Sequence, residues 1–177
     1  MKNLIIVFVT LIMVAGTTTL VRAQKEVKGT AQAGANIVAA LSISSDVKLD
    51  FGSMSIPNDN VSVILSTANA RTVDKATNIS LLPGTTTNAR VKVKGAGGLG
   101  YTIKLPDNGT VTITNGTTTM AIDEFQSLTP FSSSNGLAGK LDASGNDEFV
   151  VGATLKVLKD QSVGVYTGSF EVMVTYN

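Results

Sequence analysis

From Gly164 to Asn177 apolar and polar residues alternate without a break, and this regularity restricts the fold more than anything else in the chain. Phe170, Val172, Val174 and Tyr176 fall on one face at period two, with Tyr166 and the small Gly168 continuing the row, while Ser169, Glu171, Met173 and Thr175 take the other face. The spacing predicts one continuous terminal strand over 164–177. Chain ends fray unless a sheet ties them down, so an apolar row reaching Tyr176 implies a partner for that strand. Two readings follow: a last strand that closes its own sandwich, or an edge at which a second strand is added.

The same period recurs along the chain. Every odd position from Ala31 to Ile43 is apolar, which predicts a long strand or two in line. Val47, Leu49 and Phe51 predict the next strand, Val61 to Leu65 another, and Ile79 with Leu81 a short one. Ala89, Val91 and Val93 alternate with Arg90, Lys92 and Lys94, and a glycine-rich turn then leads to Tyr101, Ile103 and Leu105, which reads as a hairpin. Asn108-Gly109 and Asn115-Gly116 are two-residue turn signals on either side of Val111 and Ile113, with Met120 and Ile122 continuing the meander. Residues 132–146 read as a surface loop, and Phe149 to Val157 as a long strand that turns at Lys159-Asp160 into the last one. No segment after residue 23 sustains a helical period, and with 17 glycines and few aromatics the expectation is an all-β sandwich or barrel.

Residues 1–23 read as a signal peptide: Lys2 opens it, Leu4 to Ala15 is nearly all apolar, and Val21-Arg22-Ala23 offers a small-residue cleavage site. Cleavage is expected before Gln24, with residues 24–34 as an extension and 35–177 as the folded domain. That places the protein in an exported location, periplasmic, on the outer cell surface or extracellular, without stable membrane insertion after cleavage. Without Lys2 and Arg22 the chain carries twelve basic and thirteen acidic residues, a balance that argues against nucleic acid and anionic membrane surfaces as partners.

Histidine and cysteine are both absent. Their absence removes the commonest general base, the thiol nucleophile and the usual zinc ligands, so the expectation is a protein that is no enzyme, needs no cofactor and holds no metal. Carboxylates alone could hydrolyse a glycoside only if two faced each other across a cleft, and Asp123-Glu124 and Asp147-Glu148 are adjacent pairs that a strand would point to opposite faces. Gly95 to Gly100 matches the G-x-G-x-x-G of dinucleotide sites, but an alternating strand follows where the phosphate would need a helix N-terminus. Asp142 to Glu148 is rich in oxygen ligands but lacks the spacing of a calcium loop, and reads as a solvated turn.

The terminal pattern resembles that of chaperone–usher pilin subunits. The alternating Phe170, Val172 and Val174, the penultimate Tyr176 and the fourteenth-from-last Gly164 are the features that carry it. Leu49-Asp50-Phe51-Gly52 and Gly164 to Gly168 are similar to the archaic, spore-coat-U-like branch. Val151 to Leu155 and Tyr166 to Phe170 resemble more closely an uncharacterised family of cysteine-free secreted bacterial domains. The resemblance implies an all-β, immunoglobulin-like β-sandwich lacking its final strand, with Gly164, Tyr166, Phe170, Val172, Val174 and Tyr176 as the assembly strand. It implies as partners either further copies of the chain or a periplasmic chaperone, joined by β-augmentation. Val27, Gly29, Ala31 and Ala33 alternate as a candidate donor strand, although these side chains are smaller than the donor residues of such pilins. The function this implies is a structural subunit of a surface fibre or fimbria-like assembly. The alternative is a self-contained secreted sandwich that binds a glycan or surface protein; the lack of tryptophan and the presence of only three tyrosines leave few rings for a sugar to stack on.

Overall fold

The computed structural model describes residues 28–177, so the expected signal peptide and Val27 lie outside the described residues. The chain divides into two units at Asn36 and Ile37. In the first, residues 28–36 are exposed and without regular structure.

The second unit is all-β, an open sandwich of two antiparallel sheets. Its strands are β1 (Ser42–Val47), β2 (Val61–Leu65), β3 (Arg71–Val73), β4 (Ala89–Lys94), β5 (Gly100–Lys104), β6 (Val111–Thr114), β7 (Thr119–Leu128), β8 (Ala138–Lys140), β9 (Asn146–Val157) and β10 (Met173–Tyr176). A single 3-10 turn, Ala76–Asn78, interrupts them.

The twelve-residue β9 is the axis of the larger sheet. Along one edge it pairs first with β4, from Asn146↔Lys94 to Val151↔Ala89, and then with β2, from Ala153↔Leu65 to Val157↔Val61. Along the other edge runs β7, with a bulge between Asp123 and Gln126. β1 flanks β4, β3 flanks β2, and β6 flanks β7. The smaller sheet has the order β10-β5-β8.

Alternation dictates which side chains meet between the sheets. In β4 the apolar Ala89, Val91 and Val93 are buried and Arg90, Lys92 and Lys94 exposed. Two buried clusters result. One gathers Val63, Leu65, Val111, Ile122 and Leu155; the other gathers Val91, Val93, Tyr101, Ile103, Phe149 and Val151. Phe125 and Phe170, with ring centroids 5.0 Å apart, pack against both and join them. Tyr101 is fully buried and its hydroxyl donates to Asp147 Oδ2 at 2.9 Å, so its polar end is satisfied.

The structure corrects several expectations. The alternating residues from Ala31 to Ile43 do not form one strand: only Ser42 onward pairs, and residues 28–40 are exposed. Alternation marks two faces of an extended chain, but a strand forms only where a neighbour accepts its hydrogen bonds. Beyond Val47, Leu49 and Phe51 carry no regular strand, only the single bridge Asp50↔Thr87; Leu81 likewise makes one bridge, to Met54.

β4 and β5 are not a hairpin, for they belong to different sheets. The glycine loop between them turns a corner of the sandwich, held by Gly95 N–H on the Gly145 carbonyl and Gly98 N–H on that of Asp142. Asn108-Gly109 likewise links two sheets, whereas Asn115-Gly116 makes the expected β6–β7 turn. The segment 132–146 is partly ordered, holding β8 and the buried Leu141.

Candidate functional site

The terminal strand expected over 164–177 is regular only as β10, which pairs with β5 from Met173↔Lys104 to Tyr176↔Tyr101. Before it, a single bridge ties Thr167 to Thr114 of β6 through two main-chain hydrogen bonds of 2.9 Å. The segment therefore runs past β6 and then β5, and its odd-numbered residues face them. Its even-numbered N–H and C=O groups face the other way. Among the described residues, the main chain of 168–172 has no main-chain partner.

The side chains nevertheless keep the alternation read from the sequence. Tyr166, Phe170, Val172, Val174 and Tyr176 are half-buried and pack against the two clusters, while Val165, Ser169, Glu171, Met173 and Thr175 are exposed. Two glycines fit the segment to its neighbours. Gly164 has φ +153°, and a Cβ at Gly168 would stand 2.7 Å from the Thr112 carbonyl, so β6 can approach only a glycine there.

Beside this open edge lies a groove of ≈ 960 Å³. One wall is the segment 161–172. The other is the chain from Ile43 to Pro57, and the floor is Ala89, Val91, Val111, Ile113, Met120, Ile122, Leu155 and Val157. The only charged side chains lining it are Lys48 and Asp50, which form an ion pair of 2.9 Å with each other. That hydrogen bond holds the Asp50 carboxyl below its ordinary value and the Lys48 ammonium above its own. The groove thus presents an uncharged, mostly apolar surface next to a row of main-chain groups without partners. Its chemistry suits an extended peptide, which brings both apolar side chains and hydrogen-bonding groups.

Sequence reasoning missed the devices that hold the walls. Arg71 donates to the carbonyls of Phe51 at 2.8 Å, Ser53 at 3.0 Å and Leu82 at 2.7 Å, so its guanidinium staples the 51–53 wall to the sheet. The opposite wall is tied at Tyr166, whose hydroxyl donates to the Ser162 carbonyl at 2.7 Å, accepts from Gln161 Nε2 at 2.8 Å and lies 2.6 Å from Thr118 Oγ1. Asn115 Nδ2 adds a bond to the Val163 carbonyl. An arginine at an edge strand and polar residues in turns carry no periodicity that would have marked them.

The penultimate Tyr176 lies beyond the groove lining and is held at its hydroxyl. Its hydroxyl accepts from Ala96 N–H at 2.6 Å and donates to the Ala39 carbonyl at 2.8 Å, fixing the point from which the chain runs back towards its N-terminus. Of the candidate donor residues, Gly29, Ala31 and Ala33 are exposed and outside any strand. The structure therefore brings Gly164, Tyr166, Phe170 and Val172 together on one groove wall, with Val174 and Tyr176 continuing the row in β10, and leaves Gly29, Ala31 and Ala33 outside any strand.

The oxygen-rich loop after Leu141 is a turn: Asp142 Oδ1 accepts from the N–H groups of Ser144 and Asn146, both at 2.8 Å. Among the described residues no cluster of three or more carboxylates could hold a metal ion, and no helix is long and apolar enough to cross a membrane. Residues 41–176 match the family described as Domain of unknown function (DUF4402), and the chain belongs to that family. No curated protein and no solved structure matches it.

Proposed function

We propose that this DUF4402 domain is a structural subunit of a surface fibre, exported and then joined to further copies of itself by β-strand addition. The observation that carries the proposal is the open edge at 168–172 standing over an apolar groove. An exposed edge with apolar surface beside it invites pairing with another chain, and a protein either blunts such an edge or uses it. Here the edge is neither covered by another described segment nor interrupted by proline. The part of the extension from Gly29 onward, which carries no charge, supplies a strand of matching character. Main-chain hydrogen bonds give such a union affinity, and alternate side chains give it register.

The test is the mass of the mature chain in solution, beginning at Gln24, by light scattering after size exclusion. The proposal expects concentration-dependent oligomers, and a folded monomer when residues 24–36 are deleted. A mature chain that stays monomeric at every concentration, with or without those residues, would contradict it and favour the self-contained binding module.

A further inference from the structure

The C-terminal segment runs between two poles, Tyr176 and Val163, and apolar side chains stand exposed near both. At the first pole Leu41 packs on the core and Tyr176 grips the Ala39 carbonyl. Just beyond that grip, Ile37 is 95% exposed, an unusual state for so large an apolar side chain. From Tyr176 back to Val163 the C-terminal segment, of which 163–172 line the groove, covers fourteen residues, on the order of 40 Å of extended chain. At that far end Val163 and Val165 line one wall and are 79% and 84% exposed, and Ile56 on the opposite wall is 51% exposed. Single exposed apolar residues are ordinary, but three lining one groove are surface that a partner would cover.

We infer that Ile37 of one copy docks among Ile56, Val163 and Val165 of the next, and that its residues 29–36 then run along the groove towards Val172, antiparallel to the 163–172 wall. This inference rests on the strand-addition reading and adds its anchor, register and direction. Residues 29–45 carry no charge, as suits a groove whose only two lining charges are paired with each other. Ala31, Ala33, Ala35 and Ile37 share one face of an extended segment, so Ile37 is the one large side chain that the donor row offers. The anchor therefore differs from the Val27 to Ala33 register read from the sequence. Because Ile37 lies two residues from the Tyr176 grip, docking it brings the first pole of one copy directly against the far pole of the next. A contact between two different surfaces that does not close on itself generates an open filament.

The absence of cysteine makes the test clean. Copies of the full mature chain carrying Ile37→Cys, mixed with copies carrying Val165→Cys and oxidised, should form disulfide-linked heterodimers. Copies carrying Gly29→Cys should not link to Val165→Cys. Ile37→Ala should weaken association about 10- to 100-fold, from the lost burial of its side chain. Its own domain should unfold as before, since Ile37 touches no core. Oligomers that link Gly29 rather than Ile37 to Val165, or that ignore Ile37→Ala, would overturn the anchor and direction while leaving strand addition standing. A mature chain that neither links nor associates would overturn the underlying reading as well.

Discussion

Tyrosine 101 shows how one side chain couples stability to pH. Burial first, and then the Asp147 carboxylate that accepts its hydrogen bond, push its phenol far above the ordinary tyrosine value of 10.0. The unfolded chain therefore releases this proton at a pH where the folded chain still holds it. The stabilisation is complete below the unfolded value and is lost as pH rises above it. Alkaline unfolding followed by circular dichroism should show a steep loss of stability above pH 10.0, and Tyr101→Phe should flatten that slope while lowering stability at neutral pH. An unchanged slope would count against the burial described for this group. Gly168 offers a second test: Gly168→Ala sets a methyl against the Thr112 carbonyl and should cost about 1–3 kcal/mol in urea unfolding. These two residues were legible to different degrees. Tyr101 stands in an apolar row and could be placed in the core from sequence, but its carboxylate partner lies 46 residues away and has no local signature.

Among the elements, the walls of the groove depend on side chains that the strands themselves do not supply. Arg71→Ala removes three bonds from a cation to carbonyls, and with the site partly solvated it should cost about 2 kcal/mol. Its more specific effect should be faster hydrogen exchange and proteolysis over 51–56, with the β4–β9 pairing unaffected. Uniform loosening of the whole domain would show instead that Arg71 is a general support. Most strands were readable because each has one wet and one dry face; β2, β4, β6 and the inward row of the C-terminal segment lie where period two puts them, while the central β9 is buried on both faces over Val151 to Leu155. Pairing was not readable in the same way. The β4–β5 connection looks like a hairpin in sequence, yet the glycine loop crosses between sheets. Local alternation does not record which neighbour a strand will find. For the same reason the extension before Ser42 alternates without forming a strand, and the C-terminal row alternates over a length of which only the last four residues pair regularly.

The whole folded unit is an open sandwich of two antiparallel sheets. Fold class was legible from alternation, turn residues and the missing helical period. The groove was foreshadowed only by the character of its C-terminal wall, since its floor is assembled from four strands, β4, β6, β7 and β9, spread along the sequence. The central claim is that the free edge of 168–172 receives a strand from another copy. The most direct measurement is amide hydrogen exchange, resolved to single residues, on the mature chain at concentrations below and above association. Gly168, Phe170 and Val172, whose N–H groups face away from β5 and β6, should exchange rapidly in the monomer and slow by orders of magnitude on association, while the β4–β9 amides stay protected throughout. If oligomers form and those three amides still exchange at the monomer's rate, the groove is not where copies join.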